Sequence, residues 1–183
     1  MKNKIIAMLV MVILVGVVAT GCGGSQPTLN VYNWGDYIDS EVLDLFEEEF
    51  GVRVVYDTYA TNEDLYVKMK QGGSSYDVVI PSDYMIERMI REDLLMKINM
   101  DNISMLDKVD DRFLNLDYDP ENAYSVPYMW GTVGIIYNTT MVDRPLTSWA
   151  DLWDEEFEGE IIMLNSQRDT LAVALKKLGY SMN

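Results

Sequence analysis

The chain has 183 residues and carries 14 Lys and Arg against 30 Asp and Glu, a formal net charge of −16, with no histidine and one cysteine. Without histidine, a histidine-ligated metal site and a Ser–His–Asp hydrolase are excluded, and a lone cysteine excludes a disulfide within the chain. The acidity makes nucleic acid and anionic lipid surfaces poor partners and small cations good ones.

The first 21 residues read as an export signal. Lys2 and Lys4 make a basic start, and Ile5 to Ala19 is an unbroken run of apolar residues and glycine. As a helix this run rises only about 22 Å, short of the ~30 Å hydrocarbon core, so a cleaved signal fits better than a stable span. Ala19-Thr20-Gly21-Cys22 is similar to a bacterial lipobox, with Ala19 where leucine is usual. That similarity implies cleavage before Cys22 and lipid on it; secretion with a free thiol is the alternative. Residues 22–27 then form a lipidated cysteine and a flexible tether of under ~20 Å. Losing Lys2 and Lys4 leaves 12 basic against 30 acidic residues, a formal −18.

From there the elements alternate. Leu29–Tyr32 reads as a strand. Ser40–Phe50 reads as a helix with Val42, Phe46 and Phe50 on its inner stripe, ended by Gly51. Val52–Thr58 is β-branched and aromatic, a second strand. Thr61–Gln71 is a helix opened by a Thr61…Asp64 capping box, with Leu65 and Met69 inward. Tyr76–Pro81 is a third strand, and its Val78-Val79-Ile80 run suits burial on both faces. Asp83 is placed to cap a helix carrying Ile86, Met89 and Ile90. Residues 93–122 are irregular, and Asp117–Asn122 reads as a turn because it lacks a calcium loop's spacing and central glycine. Residues 123–128 and 131–137 read as extended. Ser148…Asp151 caps a short helix over 147–153, and Glu160–Leu164 reads as a strand. Ser166…Asp169 opens a last helix with Leu171, Leu175 and Leu178 inward, ended by Gly179. Alternation of this kind predicts an α/β fold with parallel strands and crossover helices.

The most informative residues follow the first strand: Asn33-Trp34-Gly35-Asp36-Tyr37. An indole, a carboxylate and a phenol stand together at a strand's carboxyl end, where open α/β sheets bind ligands. Aromatic faces beside a carboxylate suit an organic cation. The alternatives are ordinary: Trp34 as a core aromatic and Asp36 as a solvated charge. Trp130, Trp149 and Trp153 read as packing residues, and Asp154-Glu155-Glu156 as a solvated face.

The motifs in order identify a family. Tyr32-Asn33-Trp34 with Tyr37, Tyr76 to Ser82, Tyr124 to Gly131, Thr147 to Trp153, and Leu178-Gly179-Tyr180 resemble the bacterial spermidine/putrescine-binding proteins, solute-binding components of ABC polyamine importers. The resemblance covers residues 28–183. It implies a periplasmic-binding-protein-like fold of two α/β lobes closing on a ligand. Residues 28–136 would be the first lobe, here incomplete, and 137–183 the hinge crossing and the start of the second. It implies ligand contacts from Trp34 and Tyr37, which flank a polyamine's methylene chain, and from Asp36, near an ammonium. Ser82 and Tyr84 match a hydroxyl-bearing pair, and Asp169 matches a ligand-facing acid. Ser166 stands where the spermidine-type pattern has an aspartate, so one counter-charge is missing, and putrescine and spermidine both remain open.

The implied partners are a polyamine, ABC permease subunits and a membrane reached through lipid at Cys22, with no nucleic acid. The location implied is the outer face of the cell membrane or the periplasm. No cofactor, metal or enzymatic activity is expected, since no nucleophile–base pair and no phosphate-cradling Gly-x-Gly is present. Family members are nearly twice this length, so the chain looks like a truncated copy. From that, weak or absent ligand binding by the chain alone is expected. A non-transporting lipoprotein remnant, or capture of another small organic cation, is the alternative function.

Overall fold

The computed structural model describes residues 26–72 and 75–181, so the expected signal peptide, the Cys22 lipidation site and most of the tether lie outside the described residues. The chain divides into two compact units. One comprises residues up to Thr58 together with Ser75–Val79; the other comprises Tyr59–Ser74 and everything from Ile80 onward.

The first unit holds a three-stranded sheet of order β2-β1-β3, with β1 at Thr28–Trp34, β2 at Arg53–Tyr59 (its last residue already in the second unit) and β3 at Val78–Val79. β1 and β3 run parallel, Val31 facing Val78 and Tyr32 facing Val79, as the alternation of strand and helix predicts. β1 is the central strand and is buried over Val31, Tyr32 and Asn33. Tyr32 stacks on Tyr76 with ring centroids 4.5 Å apart. The Asp77 carboxylate accepts from both the backbone and the side-chain amide of Asn30, at 2.8 and 3.0 Å. The third strand is shorter than its apolar run, and Val78 is exposed rather than buried on both faces.

Helix α1 spans Ser40–Phe50, as its periodicity predicts. Asp39 caps it by accepting from the Glu41 amide, and Gly51 ends it at φ 64°, a left-handed turn that glycine adopts without strain. The expected inward stripe is not inward. Val42, Phe46 and Phe50 are all exposed, no residue of α1 is buried, and the Phe46 and Phe50 rings pack on each other at 4.5 Å. The half-buried positions are Leu43 and Glu47, so the face turned toward the rest of the unit is not the one the apolar period picks.

In the second unit, α2 (Asn62–Lys70) and α3 (Asp83–Arg91) pack together. Leu65, Met85 and Met89 are fully buried, each worth about 1.5–3 kcal/mol of transfer free energy. Met69, Ile86 and Ile90, expected inward, are only half-buried, and Met85 takes a core place the periodicity did not single out. Residues 99–113 make three single turns of 3-10 helix. Asp119 then ties the chain down: its buried carboxylate accepts from the backbone amides of Ala123, Tyr124 and Ser125 and from the Ser125 hydroxyl, at 2.8–3.0 Å. The expected turn is therefore an anchor.

The extended segments 123–128, 131–137 and 160–164 form no strands, because no ladder pairs them among the described residues; Ile136 and Ile162 are almost fully exposed. Trp149–Trp153 is a 3-10 helix with the complete Ser148…Asp151 capping box. Trp130 and Trp153 are exposed, not packed: Trp130 stacks on Phe113, and the Lys177 ammonium sits 4.1 Å from the Trp153 ring. The acidic run 154–156 is exposed as expected, but Asp154 and Glu156 both pair with Arg144. α4 spans Gln167–Lys177 and packs on the 3-10 helix; Ala172 and Val173 are its buried residues, and Leu171, Leu175 and Leu178 are exposed against expectation.

Candidate functional site

The aromatic–carboxylate group forms at the end of β1, within the first unit. Asn33 and Trp34 belong to the strand itself and not to the turn after it. Asn33 is fully buried. Its side-chain oxygen accepts the Trp34 amide at 2.7 Å, and its Nδ2 has no hydrogen-bond partner among the described residues. The Tyr56 hydroxyl donates to the Trp34 carbonyl at 3.2 Å, fixing the strand end. Two residues of turn carry Tyr37 back toward Trp34, and the two rings lie 5.9 Å apart at 32°. Asp36 is exposed and Tyr37 is 41% exposed. The sequence reading of Trp34, Asp36 and Tyr37 as one surface group thus has a geometric counterpart: two aromatic faces and an open carboxylate within four residues. Such a group attracts a cation while leaving it partly hydrated.

The hydroxyl pair forms within the second unit. Ser82 occupies the N-cap position of α3, which sequence reading assigned to Asp83; Asp83 is the first helical residue and accepts from the Tyr84 amide at 2.6 Å. Yet the Ser82 side chain makes no cap hydrogen bond. Its oxygen accepts instead from Asn62 Nδ2 at 3.0 Å, and the same nitrogen donates to the Tyr84 hydroxyl at 2.9 Å. Asn62 Oδ1 accepts from the Ser82 amide at 3.0 Å. An unmade serine cap forgoes about 1 kcal/mol, so the alternative bond matters. The Tyr84 hydroxyl donates onward to Glu63 Oε1 at a long 3.4 Å. The Tyr59 hydroxyl donates to the Ile80 carbonyl, holding the two chain segments together just before the pair.

Asn62 and Glu63 were not singled out by sequence. The signal was present but masked: Thr61 is the cap of α2, accepting from the Asp64 amide at 3.1 Å, and Asn62 directly after a cap reads as helix-start filler.

Asp169 sits near enough to Tyr84 to act on it electrostatically. Burial lifts the Tyr84 phenol above its ordinary value. The Asn62 donation partly offsets that rise, and the charges of Glu63 and Asp169 add to it. Asp169 gives its amide to the Ser166 hydroxyl at 3.3 Å, so Ser166 caps α4. The Arg168 guanidinium lies 4.9 Å from the Tyr84 ring centroid. A concavity of about 380 Å3 lined by Ile135, Leu146, Thr147, Ser148 and Trp149 holds none of the predicted residues and no charged group. Among the described residues no cluster of carboxylates is arranged to hold a metal.

The geometry describes one group in each unit: the Trp34–Tyr37 rings with Asp36, and the Ser82 and Tyr84 hydroxyls on Asn62. Comparison with known proteins names the family: the family model "Bacterial extracellular solute-binding protein" matches residues 41–183. The chain belongs to the bacterial extracellular solute-binding proteins. It is 40% identical over 158 residues to the spermidine/putrescine-binding periplasmic protein of Escherichia coli, covering 85% of this chain and 45% of that one. Among solved structures, the spermidine/putrescine ABC transporter substrate-binding protein PotD of Streptococcus pneumoniae is 47% identical with a TM-score of 0.72, covering 86% of this chain and 49% of that one. The TpPotD lipoprotein of Treponema pallidum is 34% identical with a TM-score of 0.79, covering 85% of this chain. The fold is therefore that of the periplasmic binding proteins, as the motifs predict, and this solute-binding protein spans about half the length of the relatives it matches.

Proposed function

We propose that this chain captures polyamines for an ABC importer. The observation that carries the reading is the Trp34–Tyr37 ring pair beside the open Asp36 carboxylate. It is the chemistry a diammonium ligand needs, and it stands on a chain whose relatives are named for spermidine and putrescine. Trp34 and Tyr37 flank the methylene chain, and Asp36 meets an ammonium. Within the other unit, Ser82, Tyr84 and Asp169 form a second group of acceptors suited to an amine. The role is binding, without enzymatic turnover. Residues 28–136 belong to the first lobe, and the crossing to the second begins near Ile136-Tyr137-Asn138. Export and a lipid at Cys22 hold the protein at the outer face of the membrane beside its permease, in keeping with a lipoprotein among its relatives.

Calorimetric titration with putrescine, spermidine and 1,4-butanediol tests the reading. The diol keeps the carbon chain of putrescine and lacks the ammonium groups. Saturable heat with the amines and none with the diol is expected, at an affinity weaker than micromolar because Asp36 is exposed and screened. Trp34→Ala should abolish the signal. A diol response equal to the amine response, or silence with both amines, would overturn the reading.

A further inference from the structure

We propose that Asn62 is the positioning residue of the amine site, holding the Ser82 and Tyr84 hydroxyls as one paired acceptor; the proposal rests on the polyamine reading above. Asn62 is 4% exposed, and both of its amide hydrogens are committed, one to each hydroxyl oxygen. Two oxygens at 3.0 and 2.9 Å from one nitrogen, on N–H bonds spread by about 120°, stand roughly 5 Å apart. Each oxygen can accept from an amine at the ordinary charge-assisted distance of about 2.7–2.9 Å, and Asn62 fixes where both stand. Each hydroxyl gives one lone pair to Asn62 and keeps another for a ligand. The proton of Tyr84 points to Glu63, so the phenol oxygen remains an acceptor and a carboxylate is drawn beside it. The pairing also explains why Ser82 sits at an N-cap without capping: Asn62 has taken its hydroxyl and its amide together. Chain position made Ser82 and Tyr84 candidates, and Asn62 makes them act as a unit.

Two measurements on the full chain test this. The first needs no ligand. Tyr84 is replaced by 3-fluorotyrosine, whose fluorine lowers the phenol's pKa and reports its ionisation, and followed by fluorine NMR with and without Asn62→Ala. Asn62 donates to the phenol oxygen and so favours the phenolate; its loss should raise the phenol's pKa further. Unfolding acts the other way, because exposure returns a burial-raised phenol toward its ordinary value. A rise supports positioning. No change, or a fall showing that Asn62 serves only the fold, overturns it.

The second measurement is a cycle of putrescine affinities in the wild type, Asn62→Ala, Ser82→Ala/Tyr84→Phe and the triple variant. Asn62→Ala should weaken binding roughly tenfold in the wild-type background, the scale of one to two lost hydrogen bonds, and add nothing once both hydroxyls are gone. Equal weakening in both backgrounds overturns the proposal. If the wild type does not bind putrescine, the polyamine reading fails, and the phenol titration alone decides the role of Asn62.

Discussion

Glu92 shows how much one half-buried carboxylate organises when donors converge on it. Tyr66 donates to both of its oxygens at 2.9 and 2.7 Å, Lys70 reaches it at 2.8 Å and Arg88 at 3.1 Å. The Arg88 guanidinium also lies 3.8 Å from the Tyr66 ring centroid. The Lys70 bond first, then those from Tyr66 and Arg88, hold the Glu92 carboxyl down at about 2. A carboxyl lowered on folding stabilises the fold fully above its ordinary value near 4.5, and that contribution disappears as pH falls toward 2. Glu92→Gln should therefore lower the melting temperature most above pH 4.5 and flatten the acid limb, the two proteins converging as pH falls toward 2. A parallel melting series of the two proteins from pH 6 to pH 2 reads this directly. Asp119 is the buried counterpart, 3% exposed with three amides and a hydroxyl on its carboxylate. Asp119→Ala leaves those donors in a dry place and should cost about 2–4 kcal/mol by denaturant unfolding, with Asp119→Asn costing less because one acceptor survives.

At the level of elements, the α2–α3 pair is the best-packed part of the chain. Leu65 has no exposed surface, so Leu65→Ala should destabilise by about 2–5 kcal/mol in chemical denaturation. Ser148→Ala removes one arm of a complete capping box on an exposed 3-10 helix and should cost only about 1 kcal/mol in the same experiment. These elements differ in how far sequence revealed them. α1 and the cap of α2 were legible because local chemistry suffices: Asp39, Gly51 and Thr61 satisfy helix-end groups from a few residues away. Segments 131–137 and 160–164 have strand composition, but a strand exists only with a neighbour to receive its hydrogen bonds, and composition does not name that neighbour. The leucines of α4 failed for a related reason. Periodicity gives a stripe, while the shape of the opposing surface decides which stripe makes contact. Within the candidate site, Trp34 and Tyr37 could be paired from their spacing, whereas the bond between Asn62 and Ser82 joins positions 20 residues apart in sequence and has no local signature.

Across the whole molecule, uncovered apolar surface and high negative charge oppose each other. α1 exposes Val42, Leu45, Phe46 and Phe50 on a chain of formal net charge −16. Repulsion keeps copies apart at low salt, and screening removes it over a Debye length that shrinks to about 8 Å at physiological ionic strength. Self-association should therefore grow with added salt, visible as a rising weight-average mass in sedimentation equilibrium. Phe46→Lys together with Phe50→Lys should suppress it; a monomer unchanged at high salt would show that the stripe is inert.

The Arg168 guanidinium over the Tyr84 ring has a consequence for any amine that arrives there. The aromatic face already hosts a positive charge, so an incoming ammonium does not fill an empty place but exchanges with a tenant tethered to the protein. Exchange of like for like leaves the local charge count nearly unchanged. Occupation of Tyr84 should then respond less to ionic strength than occupation of Trp34 and Tyr37, and freeing the ring by Arg168→Gln would turn the exchange back into a simple, salt-sensitive capture.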